Sequence, residues 1–78
     1  MIVSNMNLMG EKIKSIRKAN NKYNTQEKFA EFIDISTETV SNIERGTVVP
    51  RLETILNIAE KCNVSLVEMF GIEVDKNK

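Results

Sequence analysis

Apolar residues recur along this chain at helical spacing. Met9, Ile13 and Ile16 lie four and three positions apart with basic residues between them, which predicts an amphipathic helix from Met9 to about Asn20. No segment shows the alternation of apolar and polar residues that is typical of a strand, so we expect an all-α fold of five helices. The other predicted helices are 26–33, 37–45, a helix after Pro50 with Leu52, Ile55, Leu56 and Ala59 on one side, and a short helix through Leu66, Met69 and Phe70.

Polar residues and a glycine mark the ends of these predicted helices. Thr25 and Ser36 stand where a side-chain oxygen would accept a backbone N–H at a helix start, and the sequence SLVE at 65–68 is a capping box. Asp34 tolerates the left-handed conformation and Gly46 suits it, so each is expected to end a helix. The tight turn between the second and third helices therefore predicts a helix-turn-helix.

The third predicted helix separates its residues into two sides. At 100° per residue, its hydrogen-bonding side chains fall within an arc of about 140°, while Val40, Ile43 and Glu44 lie on the side expected to face the core. The side chains of the outer arc are Thr37, Glu38, Ser41, Asn42 and Arg45.

This outer arc has two interpretations. Hydroxyl, amide and carboxylate groups suit base edges in a DNA major groove, where asparagine pairs with adenine and glutamate accepts from the cytosine amino group. The alternative is an ordinary solvated helix surface, although lysine and glutamate are more typical of such a surface. The residues of this helix alone do not distinguish a DNA-binding surface from a solvated one.

The composition predicts one small domain and argues against several functional classes. The chain has 78 residues, of which 41% are hydrophobic, and we expect a domain over 8–72 between flexible segments at 1–7 and 73–78. No segment has the roughly 20 apolar residues needed to cross a bilayer, and the N-terminus lacks a signal-peptide pattern. With one cysteine and no histidine, we expect a cytoplasmic protein without disulfide, metal, cofactor or catalytic residues.

The charges are balanced overall but unevenly distributed. Eleven basic and eleven acidic residues give a formal net charge of zero, which argues against binding nucleic acid through bulk charge. Basic residues are concentrated before residue 23, and acidic residues are more frequent between 27 and 44. Any phosphate binding must therefore come from local asymmetry.

Four segments in order resemble one known family. They are MGEKIKSIRK, TQEKFAEFIDIS, TVSNIERG and PRLETILNIAEKCNVSLVEMF. Together they resemble the Xre family of helix-turn-helix transcriptional regulators, the family of the phage Cro and lambda-type repressors, from Met9 to Phe70. The resemblance implies a five-helix lambda-repressor-like DNA-binding domain whose third helix lies in the major groove.

The resemblance also implies roles for individual residues. The expected base-contacting residues are Thr37, Glu38, Ser41 and Asn42. The expected DNA-backbone contacts are Thr25, Gln26, Arg45, Thr47 and Arg51. Arg17 and Glu44 match a structural ion pair between the first and third helices, and Cys62 takes the place of a core leucine.

The sequence departs from the family pattern in three features of the helix-turn-helix and the loop before it. Asp34 replaces the usual glycine of the turn, which places a negative charge near the DNA-facing side. The loop ANNKYN at 19–24 is about two residues longer than the common form. Phe32 occupies a position that is usually polar, so we expect an exposed ring that is available to a partner.

The sequence favours a transcriptional regulator that binds double-stranded DNA sequence-specifically, as a homodimer on a palindromic operator. A repressor is favoured over an activator. The expected dimer interface contains Val64, Leu66, Val67, Met69 and Ile72. The alternative is a helix-turn-helix module that binds protein, such as an antitoxin or an anti-repressor adaptor. An enzyme is disfavoured, because no nucleophile is accompanied by a base.

Overall fold

The structure, a computed structural model, describes residues 6–70, with side chains from residue 8 onward. These residues form five α-helices: α1 (Met6–Lys18), α2 (Gln26–Ile33), α3 (Thr37–Arg45), α4 (Leu52–Lys61) and α5 (Leu66–Phe70). The predicted all-α class is confirmed. None of the helices between Met6 and Phe70 has the length and apolar content to cross a membrane.

Capping residues set the start of α2 and the turn between α2 and α3. The Thr25 hydroxyl oxygen accepts the backbone N–H of Lys28 at 3.1 Å, and Ser36 Oγ accepts that of Thr39 at 3.0 Å. Asp34 ends α2 in the left-handed region, with φ 66° and ψ 47°. Because all of these signals are local, the sequence predicts the bounds of α2 and α3 correctly.

Helix α1 begins at Met6, three residues before the predicted start and within the predicted flexible segment 1–7. The rest of that segment and the predicted tail at 73–78 lie outside the described residues. Gly10 of α1 lies directly against the backbone of α3. A side-chain carbon at Gly10 would clash with the Ile43 carbonyl oxygen and lie 3.0 Å from that of Glu44.

The hydrophobic core lies among all five helices, and it corrects part of the predicted apolar side of α4. Ile55 and Ala59 of that side are buried, and Ile58 packs beside them. Leu52 and Leu56, which share the predicted side, are 63% and 45% exposed. The apolar residues of α4 span an arc of about 160° at 100° per residue, so the periodicity identifies the apolar side of α4 but not which part of it packs inward.

The loop before α2 contributes an aromatic residue to the core, and this corrects the expectation for Phe32. Tyr23 is buried, and its ring stacks on Phe32 with centroids 4.7 Å apart. Phe32 is consequently half-buried against the core, not an exposed partner contact. The longer loop therefore supplies the ring that covers the apolar side chain at this position.

The same burial affects two ionisable groups. Burial raises the pKa of Tyr23 to about 12, with a smaller contribution from the Cys62 side chain. Burial also raises the pKa of the Cys62 thiol, which packs half-buried against the core. A thiol whose pKa is raised is a poor nucleophile, so Cys62 acts as an apolar packing residue.

Helix α5 closes the core. Ser65 Oγ accepts the backbone N–H of Glu68 at 3.1 Å, as the predicted capping box requires. Met69 is only 1% exposed, whereas Leu66, Val67 and Phe70 are exposed. Met69 therefore belongs to the monomer core, and its prediction as a dimer contact is wrong.

Candidate nucleic-acid interface

Helix α3 is anchored on one side and open on the other. Val40, Ile43 and Glu44 are buried, as the helical spacing predicts. The outer arc remains accessible: Thr37, Ser41 and Asn42 are half-buried, and Glu38 and Arg45 are exposed. The structure therefore places the predicted base-contacting side chains on one accessible helix surface.

A buried ion pair holds the inner side of α3 to α1. Arg17 Nε donates to Glu44 Oε2 at 2.7 Å, and Arg17 Nη2 donates to Oε1 at 3.0 Å. Arg17 also donates to the backbone carbonyl of Asn24, which connects the pair to the loop before α2. Such a charge-assisted fork fixes both position and orientation.

Gln26, at the first position of α2, joins this network. Its Nε2 donates to Glu44 Oε1 at 3.1 Å. This bond places the start of α2 beside the C-terminal half of α3 and leaves the Gln26 carbonyl oxygen and its second amide N–H for other partners. The sequence predicts Gln26 and Glu44 separately, but no local signal indicates that they meet.

Asn42 and Arg45 are joined on the open side of α3. Arg45 Nη2 donates to Asn42 Oδ1 at 2.6 Å. Three-residue spacing brings such side chains together on a helix surface, so this pair was detectable from the sequence, although we predicted separate base and phosphate roles for its members. The two predicted sets of contacts are therefore connected at this point.

The link from α3 to α4 has the remaining predicted backbone contacts. Gly46 ends α3 with φ 79°, and the N–H and hydroxyl of Thr47 donate to the Asn42 carbonyl at 3.0 and 3.1 Å. Thr47 thus closes the end of the helix. Arg51 is exposed at the start of α4, and its side chain makes no capping bond there.

The charged residues at the two ends of α3 complement the helix dipole. Glu38 lies in the first turn and Arg45 in the last, which is the favourable arrangement at each end. Asp34 and Glu38 are exposed close to this surface, so the interface is not uniformly positive. Affinity for a polyanion must therefore depend on a few well-placed donors.

Comparison with known proteins identifies the domain. A family model described as "Helix-turn-helix" matches residues 13–69, which covers most of the chain. The chain is 39% identical over 64 residues to Antitoxin PezA of Streptococcus pneumoniae serotype 4 (strain ATCC BAA-334 / TIGR4), over 82% of this chain and 39% of that protein. The chain thus spans about two fifths of the length of this relative.

A comparison with solved structures gave no significant match. The family match agrees with the helix-turn-helix formed by α2 and α3. The helix-turn-helix family is a DNA-binding, non-enzymatic type of domain. The chain therefore belongs to the Xre, lambda-repressor-like family of helix-turn-helix DNA-binding proteins.

Proposed function

We propose that the protein is a sequence-specific double-stranded DNA-binding transcriptional repressor that inserts α3 into the major groove. The observation that carries this proposal is the division of α3 into a buried side, anchored by Val40 and Ile43, and an accessible side of hydrogen-bonding groups. A helix fits the major groove, and its outward side chains then face base edges. A cytoplasmic location follows from this function.

The proposed base contacts are Thr37, Glu38, Ser41 and Asn42. Hydroxyl groups of Thr37 and Ser41 donate or accept, so they adapt to several bases. The Glu38 carboxylate accepts from a cytosine amino group and repels phosphate. This chemistry favours specificity over general affinity.

The proposed DNA-backbone contacts lie on both sides of this surface. Thr25 and Gln26 are at the start of α2, where oriented backbone N–H groups favour an anion. Arg45, Thr47 and Arg51 lie around the α3–α4 link on the other side. Phosphate contacts on two sides would fix the angle at which α3 enters the groove.

We further propose a homodimer on a palindromic operator, with half-sites about 34 Å apart. The exposed apolar residues of α5, Leu66, Val67 and Phe70, support an interface there. Val64 lies half-buried next to them, and Ile72 is outside the described residues. Two copies are needed because one such module has limited affinity for a single site.

Selection of bound sites from random DNA, followed by gel-shift titration at two salt concentrations, tests the function. We expect a two-fold symmetric sequence and an affinity that decreases with salt, because cationic side chains displace counterions from phosphates. Recovery of no enriched sequence at low salt would contradict the proposal.

A second candidate, an antitoxin, is favoured by the 39% identity to Antitoxin PezA. In this case the exposed apolar residues of α4 and α5 would bind a toxin protein, and DNA binding would be a second activity or absent. Co-expression with the product of the adjacent gene tests this candidate. Rescue of growth together with co-purification of the two proteins would support it, and failure of both would reject it.

A further inference from the structure

The hydrogen bond between Asn42 and Arg45 determines the orientation of the Asn42 carboxamide. Arg45 Nη2 lies 2.6 Å from Asn42 Oδ1. A guanidinium group has only donors, so the amide atom that faces it must be the oxygen. The Asn42 amino group therefore points away from Arg45.

This orientation changes what Asn42 offers to a base. An asparagine that recognises adenine uses its oxygen to accept from N6 and its amino group to donate to N7. Here one lone pair of the oxygen accepts from a cation, and an adenine amino group that used the other lone pair would lie beside the guanidinium donors. Guanine instead presents two acceptors, O6 and N7, in the major groove.

We infer that Asn42 and Arg45 act as one unit in which donors predominate, so the protein prefers guanine over adenine at the base that Asn42 contacts. The inference rests on the proposed DNA-binding function and assigns part of its specificity. Arg45 is then a positioning residue for Asn42, in addition to any contact of its own with phosphate. The preference arises from the pair, because a free asparagine would favour adenine.

The experiment uses the full chain and four proteins: the parent, Asn42→Ala, Arg45→Met and Arg51→Met. Random-site selection with the parent and Asn42→Ala identifies the contacted position as the one whose preference is lost. Affinities are then measured for operators with G·C or A·T at that position. Arg51→Met is the matched control, because Arg51 is also an exposed arginine but makes no hydrogen bond to Asn42.

We expect the parent to prefer guanine by about tenfold, the scale of a good base contact. Arg45→Met should remove or reverse this ratio, whereas Arg51→Met should weaken both operators equally and keep it. Inosine in place of guanine should bind like guanine, since the two bases have the same major-groove edge.

Different failures are distinguishable. A parent that prefers adenine, or an Arg45→Met variant with the parent's ratio, would overturn the inference and leave the DNA-binding function intact. The same holds if Asn42→Ala changes no position of the selected site. Recovery of no specific site by the parent would overturn the proposed function and, with it, the inference.

Discussion

Arg17 of α1 and Glu44 of α3 form a two-point ion pair inside the protein, with N–O distances of 2.7 and 3.0 Å. Arg17→Met should leave the Glu44 carboxylate buried without its cation. Removing one partner of such a pair costs about 3 to 5 kcal/mol, which is a large part of the stability of a domain of this size. Urea denaturation followed by circular dichroism measures the loss.

Two variants serve as controls for the ion pair. Lys14→Met removes an exposed cation from the same helix and should change the free energy of unfolding by less than about 0.5 kcal/mol. Arg17→Met combined with Glu44→Met should be more stable than Arg17→Met alone, because no buried charge is left unpaired. Equal stability of Arg17→Met and Lys14→Met would show that the pair contributes little.

Variants on the two proposed parts of the DNA interface should behave differently. Thr37→Ala and Asn42→Ala should each reduce base discrimination by about 1 to 3 kcal/mol, because they remove groups that we propose contact base edges. Gln26→Ala and Arg51→Ala should instead weaken binding to all sequences. Parallel site selection and gel-shift titration separate the two effects, and an Asn42→Ala protein with the parent's preferences would disprove its assignment.

The proposed dimer predicts a specific effect of charge on α5. The parent should sediment as a dimer at micromolar concentration, and Val67→Glu should sediment as a folded monomer, because a carboxylate would have to be buried in the interface. Leu8→Glu is the matched control, since Leu8 has a similar exposure of 47% against 43% for Val67, but lies on α1. A monomeric parent would contradict the proposed dimer, and a dimeric Val67→Glu variant would place the interface outside this part of α5.

The raised pKa of Tyr23 predicts a loss of stability at high pH. Below pH 10, tyrosine is protonated in both states; between 10 and about 12, it ionises in the unfolded chain while the folded protein keeps its proton. The folded state thus binds more protons in this window, so its stability decreases as pH rises, by an amount on the order of 2 kcal/mol. Urea denaturation from pH 9 to 12 measures this decrease.

Tyr23→Phe keeps the stacked ring but removes the ionisable group, so its stability should decrease less over the same window. The comparison is best made with Cys62→Ala in both proteins, because the raised pKa of the Cys62 thiol also makes the folded protein less stable as pH rises. Parallel pH profiles for the tyrosine and phenylalanine proteins would contradict the predicted contribution of Tyr23.

The sequence predicts the parts of the fold that depend on local chemistry. Thr25, Ser36 and Gly46 mark helix ends through bonds within a few residues, so their positions follow directly from residue type. The orientation of α4 depends on which part of its apolar side meets α2 and α5, and Leu52 carries no sign of its exposure. The position of Phe32 likewise depends on Tyr23, which lies in a loop with no helical periodicity.

The site shows the same division between local and long-range information. The open side of α3 follows from helical spacing, and residue type indicates its hydrogen-bonding character. The bond from Gln26 to Glu44 joins residues eighteen positions apart, so only the packed fold reveals it. Sequence reasoning thus identifies the participants but not the connections that orient them.

The contact of Gly10 with the backbone of α3 limits how the protein adjusts to its target. With no side chain between the two main chains, α3 cannot tilt or slide without displacing α1 as well. Within one subunit, the angle of the helix that we propose enters the groove is therefore set before DNA binds. If two subunits bind together, tolerance for operators of different length must come from their relative placement, or from bending of the DNA itself.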